Sequence, residues 1–301
     1  MEKVQVLLST YNGEKYLKEQ IESIIRQEEV ELSILIRDDG STDKTIQILT
    51  ELAEKYNNIT FYQGENLGPA RSFMELVKYS EDDVSYYAFA DQDDVWKSKK
   101  MITAIQKLQK HEEIPSLYIS AVEIVDENLN SIGIKKVVGN PTLEGAIIKN
   151  FAYGCTQVLN KKMRDIINQY EPNYLIMHDS WITRICYAIG GNVIIDENSY
   201  IQYRQHTSNV VGAKEGGLKK LKKQLTIAFK DNICMRVKIA EELKNGYGDI
   251  LTDHAKELIE KLICYPTNKE AKKWLLRNKN FRTSDAKINA KMKLAIRLNK
   301  F

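Results

Sequence analysis

Residues 4–56 read VQVLLSTYNGEKYLKEQIESIIRQEEVELSILIRDDGSTDKTIQILTELAEKY, and this stretch decides the fold class. Val4–Ser9 and Leu32–Arg37 are short runs rich in aliphatic residues, which is typical of strands. Glu14–Gln27 and Asp43–Tyr56 carry apolar residues at spacings of three and four, which is typical of amphipathic helices. The stretch therefore predicts two consecutive strand–helix units.

The same alternation continues downstream. Ile59–Tyr62 and Tyr86–Ala90 predict strands, and Ala70–Tyr79 between them predicts a helix. Four strands alternating with three helices indicate an α/β fold with a mostly parallel central sheet and helices on both faces. Ligands of such sheets bind outside the carboxyl ends of the strands, so the residues that follow each strand form the candidate site.

The composition fits a folded protein without a membrane span. The chain has 301 residues, of which 43% are hydrophobic, and this is enough for a large core. It contains no run of roughly 18 apolar residues, and no signal-peptide core follows Met1, so we expect a cytoplasmic protein. Cys155, Cys186, Cys234 and Cys264 form no CxxC pair, which favours small buried side chains over a disulfide framework or a zinc site.

Charge divides the chain into two parts. Residues 1–214 carry a net charge of −8 and residues 215–301 a net charge of +11, within a total of +3. We therefore expect one domain over 1–214 and a basic helical region over 215–301. Basic helices of this kind bind nucleic acid, a membrane surface or another anionic body, or they form a solvated face.

Two helical patterns occur within the basic region. Residues 218–225 (LKKLKKQL) and 291–298 (KMKLAIRL) place cations beside aliphatic residues at helical spacing, which suits helices that lie in an anionic membrane interface. The alternative is that these helices pack against the first domain or against a second subunit.

Polar clusters follow three of the predicted strands. They are Ser9–Glu14 (STYNGE), Arg37–Asp43 (RDDGSTD) and Ala90–Trp96 (ADQDDVW). Each cluster alone also suits a turn or a helix cap. Three such clusters at one edge of one sheet indicate a ligand site.

The third cluster contains two carboxylates one residue apart. Because side chains alternate along an extended chain, Asp91 and Asp93 should emerge on the same side. Their like charges repel unless a cation or a hydrogen-bonding group compensates them. Hard divalent ions prefer oxygen ligands and commonly bridge a carboxylate to a diphosphate, which would suit a nucleotide-diphosphate substrate.

The order of the motifs resembles that of the family 2 nucleotide-sugar glycosyltransferases, and more narrowly of their bacterial rhamnosyltransferase-like branch. The motifs are STYNGE (9–14), DDGSTD (38–43), NLGPAR (66–71) and DQDDVW (91–96). Their order is more specific than a lone DXD, which is a weak signal. The resemblance covers about residues 3–212 and implies a GT-A fold, with a nucleotide-binding half over about 1–96 and an acceptor half over about 97–214 that share one sheet.

The resemblance also implies which residues bind the nucleotide sugar. Asp39 would accept a hydrogen bond from the pyrimidine, Arg71 would lie beside the base or diphosphate, and Asp91 would lie near the ribose. Asp93 would bind Mn²⁺ or Mg²⁺ directly, and Asp94 would orient the loop. The full nucleotide-sugar-binding set is Thr10, Tyr11, Asn12, Glu14, Asp38, Asp39, Arg71, Asp91 and Gln92.

Asp179 is the candidate general base, because a sugar hydroxyl must lose its proton to become a good nucleophile. It lies in MHDSW (177–181), where the resemblance places an acidic residue before a tryptophan; a helix-capping role is the alternative. Trp181 would stack on an acceptor sugar or else pack in the core. His206, in YRQHTSN (203–209), would bind the metal or the diphosphate, unless it is an ordinary surface histidine.

The resemblance implies an inverting, metal-dependent transfer from dTDP-L-rhamnose as first choice, or from a UDP-hexose or UDP-N-acetylhexosamine. The acceptor would be a growing bacterial surface glycan, linked to lipid and reached at the inner face of the membrane. A non-catalytic carbohydrate-binding or scaffold protein is one rival, although it would be expected to lose Asp93 or Asp179. A sugar nucleotidyltransferase is another, although its Gly-rich basic diphosphate loop is missing near the first strand. No nucleic-acid partner is expected.

Overall fold

The computed structural model describes residues 1–205 and 235–301. His206, the helical pattern over 218–225 and the expected domain boundary at 214 lie outside these described residues. Cys234 lies outside them as well.

The described strands form one twisted sheet in which the first half is parallel. The strands are β1 (Glu2–Thr10), β2 (Val30–Asp38), β3 (Ile59–Gln63), β4 (Tyr86–Ala90), β5 (Val95–Trp96), β6 (Ser116–Val125), β7 (Ser131–Lys135), β8 (Val158–Asn160) and β9 (Asn192–Arg204). Their order is β3-β2-β1-β4-β8-β6-β9-β5, and β7 pairs with β6. The neighbours among β1–β4 run parallel, as predicted. The second half mixes directions, because β8 runs antiparallel to both β4 and β6, whereas β6 and β9 are parallel.

Helices cover both faces of this sheet. The described helices are α1 (Leu17–Ile25), α2 (Thr45–Lys55), α3 (Pro69–Lys78), α4 (Lys100–Leu108), α5 (Leu143–Ile148), α6 (Lys161–Ile167), α7 (His178–Ala188), α8 (Met235–Tyr247), α9 (Asp253–Cys264), α10 (Lys269–Arg277) and α11 (Ala286–Arg297). Helix α2 begins two residues later than predicted, because the Asp43 carboxylate accepts hydrogen bonds from the Thr45 amide at 3.0 Å and from its hydroxyl at 2.5 Å.

Alternating side chains of β1 separate two hydrophobic clusters. Val6 and Leu8 pack on one face with α1, α2 and α4, while Leu7 packs on the other face with α3 and α7. A strand buried on both sides lacks the polar alternation of a half-exposed strand, which explains its continuous aliphatic sequence. The expectation of helices on both faces is confirmed.

The described C-terminal helices contribute to the hydrophobic cluster that contains Leu7. Leu243 of α8, Leu258 of α9, Leu275 of α10 and Ile296 of α11 are buried in it together with Trp181 of α7. These helices therefore pack against the preceding part of the chain, which is one of the alternatives given above. None of the helices in the described ranges is both long and apolar enough to cross a membrane. Two cysteines, at 155 and 186, are buried as expected, but the one at 264 is exposed.

Glu242 of α8 fastens this C-terminal region to the segment that precedes α7. Its carboxylate is 7% exposed and accepts hydrogen bonds from the Tyr170 hydroxyl at 2.7 Å, the Asn173 amide at 2.9 Å and the Tyr174 amide at 3.2 Å. One turn later, a Cβ on Gly246 would lie 2.4 Å from the Tyr170 ring. The close approach of α8 therefore requires an acceptor at 242 and a glycine at 246.

We expect Glu242→Gln to lower the free energy of unfolding by about 1–3 kcal/mol. The side-chain NH₂ of glutamine would replace a carboxylate oxygen that accepts hydrogen bonds from Tyr170, Asn173 or Tyr174. Chemical denaturation followed by circular dichroism would measure this change. The matched control is Glu241→Gln, at an exposed position of the same helix, where we expect a change within about 0.5 kcal/mol. Equal stability of the two variants would contradict this role for Glu242.

Candidate active site

The three polar clusters meet at the carboxyl edge of the parallel strands. Thr10 at the end of β1 pairs with Asp38 at the end of β2, and Leu8 pairs with Ala90 at the end of β4. Gln92 joins the loop after β4 to the loop after β1. Its Oε1 accepts hydrogen bonds from Thr10 Oγ1 at 2.6 Å and from the Tyr11 amide at 2.8 Å. The loops after β1 and β4 are therefore held in fixed relative positions.

The loop after β1 is tied to the loop after β2 by Asn12 and Glu14. Asn12 adopts a left-handed backbone conformation with φ 49°, and its Oδ1 accepts a hydrogen bond from the Thr42 amide at 2.9 Å. Glu14 Oε2 accepts one from the Lys44 amide at 3.1 Å. Tyr11, between Thr10 and Asn12, is 47% exposed. The ring of Tyr11 is thus open to a ligand, whereas Asn12 and Glu14 shape the loop.

Asp38 is fully buried and organises the turn that follows β2. Its Oδ2 accepts hydrogen bonds from the amides of Gly40 at 3.2 Å and Ser41 at 2.9 Å, and its Oδ1 accepts one from the Ser41 hydroxyl at 2.5 Å. Gly40 itself has a φ of +84°, a conformation that glycine adopts without strain. Asp38 therefore supports the site from below its surface.

Asp39 is also buried and anchors the loop that precedes α3. It forms an ion pair with Arg37 and accepts hydrogen bonds from the amides of Leu67 and Gly68, both at 2.9 Å. These contacts fix its carboxylate at the edge of the sheet. The predicted contact to a pyrimidine remains a prediction.

Arg71, in the first turns of α3, reaches the segment that precedes α7. Its Nη2 donates a hydrogen bond to the Asn173 carbonyl at 3.0 Å, and its Nη1 lies 3.8 Å from the Glu171 carboxylate. Asn173 also donates to Glu242 through its amide, at 2.9 Å. Arg71 is therefore connected through one residue, Asn173, to the C-terminal helix α8.

The loop after β4 concentrates negative charge. Burial, followed by the charges of Asp93 and Asp179, raises the pKa of Asp91 to about 7. Burial, followed by the charges of Asp93 and Asp91, raises the pKa of Asp94 well above its ordinary value. The Oδ2 atom of Asp94 is buried without a hydrogen-bond partner among the described residues. Such a cluster is compensated by protons or by a bound cation.

The donor atoms of this loop fit a hard divalent ion. Side-chain ligand atoms of Asp91, Asp94 and Cys155 lie within 4.8 Å of one another. Burial raises the pKa of the Cys155 thiol, and a neutral thiol is a poor ligand for Mg²⁺ or Mn²⁺, which take carboxylate oxygens. The carboxylates, including Asp93 beside them, are therefore the residues suited to holding such an ion.

Asp179 brings a further carboxylate to this site from the second half of the sheet. It lies in the first turn of α7, is 8% exposed, and its Oδ1 accepts a hydrogen bond from the Ser180 amide at 2.5 Å. Burial raises the pKa of Asp179. Its charge contributes to the raised pKa of Asp91, so the two carboxylates lie near one another. No side chain caps α7 at Met177, but Asp179 is the acidic residue of its first turn and accepts the Ser180 amide, so the helix-terminus alternative stays open beside that of a general base.

Two amide side chains that sequence reasoning missed hold Asp179 in place. Asn150 Nδ2 donates a hydrogen bond to Asp179 Oδ2 at 2.9 Å. Gln157 Nε2 donates to the Asp179 carbonyl at 2.9 Å and to Thr183 Oγ1 at 3.1 Å. Neither amide follows a predicted strand or belongs to a recognisable motif, so the sequence carried no signal for them.

Arg204, at the end of β9, fixes the loop after β4. Its backbone amide donates to Asp94 Oδ1 at 3.1 Å, its Nε donates to the Asp93 carbonyl at 2.9 Å, and its guanidinium pairs with Glu19 of α1. The sequence offered one indication of this role: Arg204 lies in YRQHTSN (203–209), the segment that the family resemblance assigns to the donor site.

Trp181 and His178 lie in the core. Trp181 is 1% exposed, and its ring centroid is 6.1 Å from that of Tyr247, so the core-packing alternative describes its position. The ring of His178 lies 4.0 Å from Phe73 and 5.1 Å from Phe89 between centroids. Burial lowers the pKa of His178 to about 3, which keeps it neutral.

Comparison with known proteins agrees with this geometry. The sequence profile of glycosyl transferase family 2 matches residues 5–164. The dTDP-rhamnosyl transferase RfbG of Shigella flexneri is 30% identical over 216 residues, which cover 68% of this chain and 74% of the relative. An uncharacterized glycosyltransferase of Haemophilus influenzae is 26% identical over 252 residues, covering 78% of this chain and 77% of the relative.

A solved structure shows the same fold at low identity. The crystal structure of S. aureus TarS residues 1–349 in complex with UDP superposes with a TM-score of 0.57 at 18% identity, covering 100% of this chain and 93% of that one. The same fragment in complex with UDP-GlcNAc gives 0.56 at 17% identity, with the same coverage. The family profile, the relatives and the fold agree that this chain belongs to glycosyl transferase family 2, as a rhamnosyltransferase-like glycosyltransferase with a GT-A fold.

Proposed function

We propose that the protein transfers one sugar from a nucleotide diphosphate to an acceptor hydroxyl with inversion at the anomeric carbon. The observation that carries this proposal is the meeting of Asp179, from the acceptor half, with the carboxylates after β4. As the acceptor oxygen attacks the anomeric carbon, its proton passes to Asp179 and the bond to the nucleotide diphosphate breaks on the opposite side. No covalent intermediate with the enzyme is needed.

The surroundings of Asp179 support a role as general base. Its raised pKa, caused first by burial, makes it a stronger base than an exposed aspartate. The hydrogen bond from Asn150 leaves the carboxylate oriented. The charge of Asp179 contributes to the raised pKa of Asp91, so the proposed base lies near the carboxylates proposed to bind the donor.

Asp93, together with Asp91, is proposed to hold Mn²⁺ or Mg²⁺, with His206 as a further ligand. Bound there, the ion would neutralise the diphosphate leaving group. The proposal rests on the concentration of carboxylates after β4 and on the unpartnered oxygen of Asp94 beside them.

The donor is proposed to bind across the ends of β1, β2 and β4. The residues assigned to it are Thr10, Tyr11, Asn12, Glu14, Asp38, Asp39, Arg71, Asp91 and Gln92, of which fully buried Asp38 would act through the turn that it organises. We infer dTDP-L-rhamnose as the first choice, since the Shigella relative bears the name of a dTDP-rhamnosyl transferase. A UDP-hexose or UDP-N-acetylhexosamine is second, since TarS was crystallised with UDP and UDP-GlcNAc.

The acceptor is proposed to be a bacterial surface glycan, carried on lipid at an anionic membrane. Leu294 of α11 is 54% exposed and Leu298, directly after the helix, is 58% exposed. Exposed Lys291 and Arg297 flank them. Each cation near an anionic surface contributes on the order of 1 kcal/mol, so a few suffice for reversible attachment. Ile288, Met292, Ala295 and Ile296 of α11 pack against the core, which leaves the edge at Leu294 for membrane contact.

We expect Asp93→Asn to reduce turnover by about a hundredfold or more, because the proposed metal loses a charged ligand. Nucleotide release from a panel of donors, with added Mn²⁺ or Mg²⁺, would measure turnover, and a chelator should abolish it in the wild type. Asp83→Asn, which changes an exposed carboxylate paired with Lys3, is the matched control and should retain activity. Undiminished turnover in Asp93→Asn, or in chelator-treated enzyme, refutes the metal assignment.

We expect Asp179→Asn to lower kcat by about 10²–10⁴-fold without changing the donor Kd, because only the proton acceptor is lost. Sugar transfer and donor titration would measure the two quantities separately. Wild-type turnover in this variant would mean that another group is the base.

The pH profile provides a second test of Asp179. Activity should fall on acidification as Asp179 takes up a proton, and the Asn150 hydrogen bond lowers the pKa of this carboxylate. Asn150→Ala should therefore move the acid limb of kcat/KM to higher pH. An unmoved acid limb would separate Asn150 from the base.

We expect Leu294→Gln/Leu298→Gln to weaken sedimentation with phosphatidylglycerol vesicles, because the apolar edge of α11 is lost. Binding of the wild type should also decline at high salt, since the Debye length shortens. The control is Ile132→Gln/Ile134→Gln, which changes two exposed isoleucines of β7. No binding by the wild type, or equal loss in both variants, rules out attachment through α11.

A further inference from the structure

A cavity of about 350 Å³ lies between the loop after β7 and the segment that precedes α11. Asn140, Lys279, Asn280, Arg282, Thr283 and Ser284 line it. A smaller cavity of about 90 Å³ adjoins it and extends the lining to Lys149 and Asp285. No residue assigned above to the donor, the metal or the proton transfer belongs to either lining.

The two cavities, together called the basic cavity below, are lined by more cationic than anionic side chains. Among the residues that the structure describes, the side chains of Lys149, Lys279 and Arg282 make no hydrogen bond or ion pair. The one carboxylate in the lining belongs to Asp285, whose Oδ1 accepts hydrogen bonds from the amides of Lys287 at 2.8 Å and Ile288 at 3.2 Å. The lining therefore keeps two uncompensated positive charges.

The wall that carries these cations is fixed by backbone contacts. Asn140 Nδ2 donates a hydrogen bond to the Arg282 carbonyl at 3.2 Å. Asn289 of α11 accepts from the Thr283 amide and donates to the Thr283 carbonyl, both at 2.7 Å. A rigid backbone reduces the entropy lost when the attached side chains close on a ligand.

The lining of the smaller cavity includes a residue of the segment that positions Asp179. Lys149 follows α5 directly, and the next residue, Asn150, donates the hydrogen bond to Asp179 at 2.9 Å. A group bound against Lys149 would therefore contact the residue that precedes, along the chain, the amide that orients Asp179.

We propose that the basic cavity binds a phosphoryl group, phosphate or diphosphate, that belongs to the acceptor. A guanidinium matches phosphate oxygens with paired hydrogen bonds, and lysines add charge from other directions. The diphosphate that joins a glycan to its lipid carrier is an acceptor group of this chemistry. Assignment to the acceptor rests on the proposed transfer, whereas the anion site itself does not.

The test uses inorganic pyrophosphate as the probe, titrated calorimetrically into the intact protein in metal-free, chelator-treated buffer. We expect one equivalent to bind to the wild type and Lys279→Gln/Arg282→Gln to weaken binding at least about tenfold. The control Lys244→Gln/Lys256→Gln removes the same charge from exposed positions of α8 and α9 outside the lining and should change the Kd by less than about twofold. Equal weakening in both variants, or unchanged binding in Lys279→Gln/Arg282→Gln, overturns the site.

A second arm identifies the source of the phosphoryl group. Phosphatidylcholine vesicles doped with farnesyl diphosphate present the diphosphate on a lipid, and sedimentation measures binding. Loss of sedimentation in Lys279→Gln/Arg282→Gln, but not in the control, supports a lipid-linked acceptor. A defect confined to soluble pyrophosphate overturns that assignment. Neither arm requires sugar transfer, so a failure here is distinct from a failure of the proposed reaction.

Discussion

Arg204 donates hydrogen bonds to three parts of the chain that are far apart in sequence, and the carboxylate loop depends on them. The guanidinium contacts the Asp93 carbonyl, the Glu127 carbonyl and the Glu19 carboxylate, while the backbone amide contacts Asp94. It is 2% exposed, so these bonds form where water cannot replace them. Gln92 holds this loop to the loop after β1, and Arg204 adds the contact that ties it to the last strand.

The site gathers acids that the fold does not neutralise. Burial disfavours the charged form of a carboxylate, and neighbouring like charges add to that cost. Asp91, Asp94 and Asp179 each show a raised pKa with burial as its first cause. By contrast, Asp38 and Asp39, which are also buried, accept hydrogen bonds from several backbone amides. The contrast separates carboxylates that build loops from carboxylates left available for a cation or a proton.

Local sequence patterns predicted the first half of the fold because its elements are regular and consecutive. β1–β4 and α1–α3 are each long enough to show their periodicity, and parallel strands necessarily bring the three polar clusters together. The second half was less accessible. β8 has three residues, Val158–Asn160, which is too short for a period. The contact of Asn150 with Asp179 joins residues 29 apart through tertiary packing alone, and the cation-rich helices suited a membrane and a protein surface equally well.

The junction at α8 restricts how freely the two parts of such an enzyme can be recombined. Glu242 supplies acceptors for three donors of the segment before α7, and Gly246 leaves room for the Tyr170 ring. That segment also holds Arg71 through the Asn173 carbonyl. A chimaera that kept this catalytic body and took its C-terminal helices from a relative would need both residues at the matching turns. The helical region is therefore a co-adapted part of the enzyme rather than an exchangeable module.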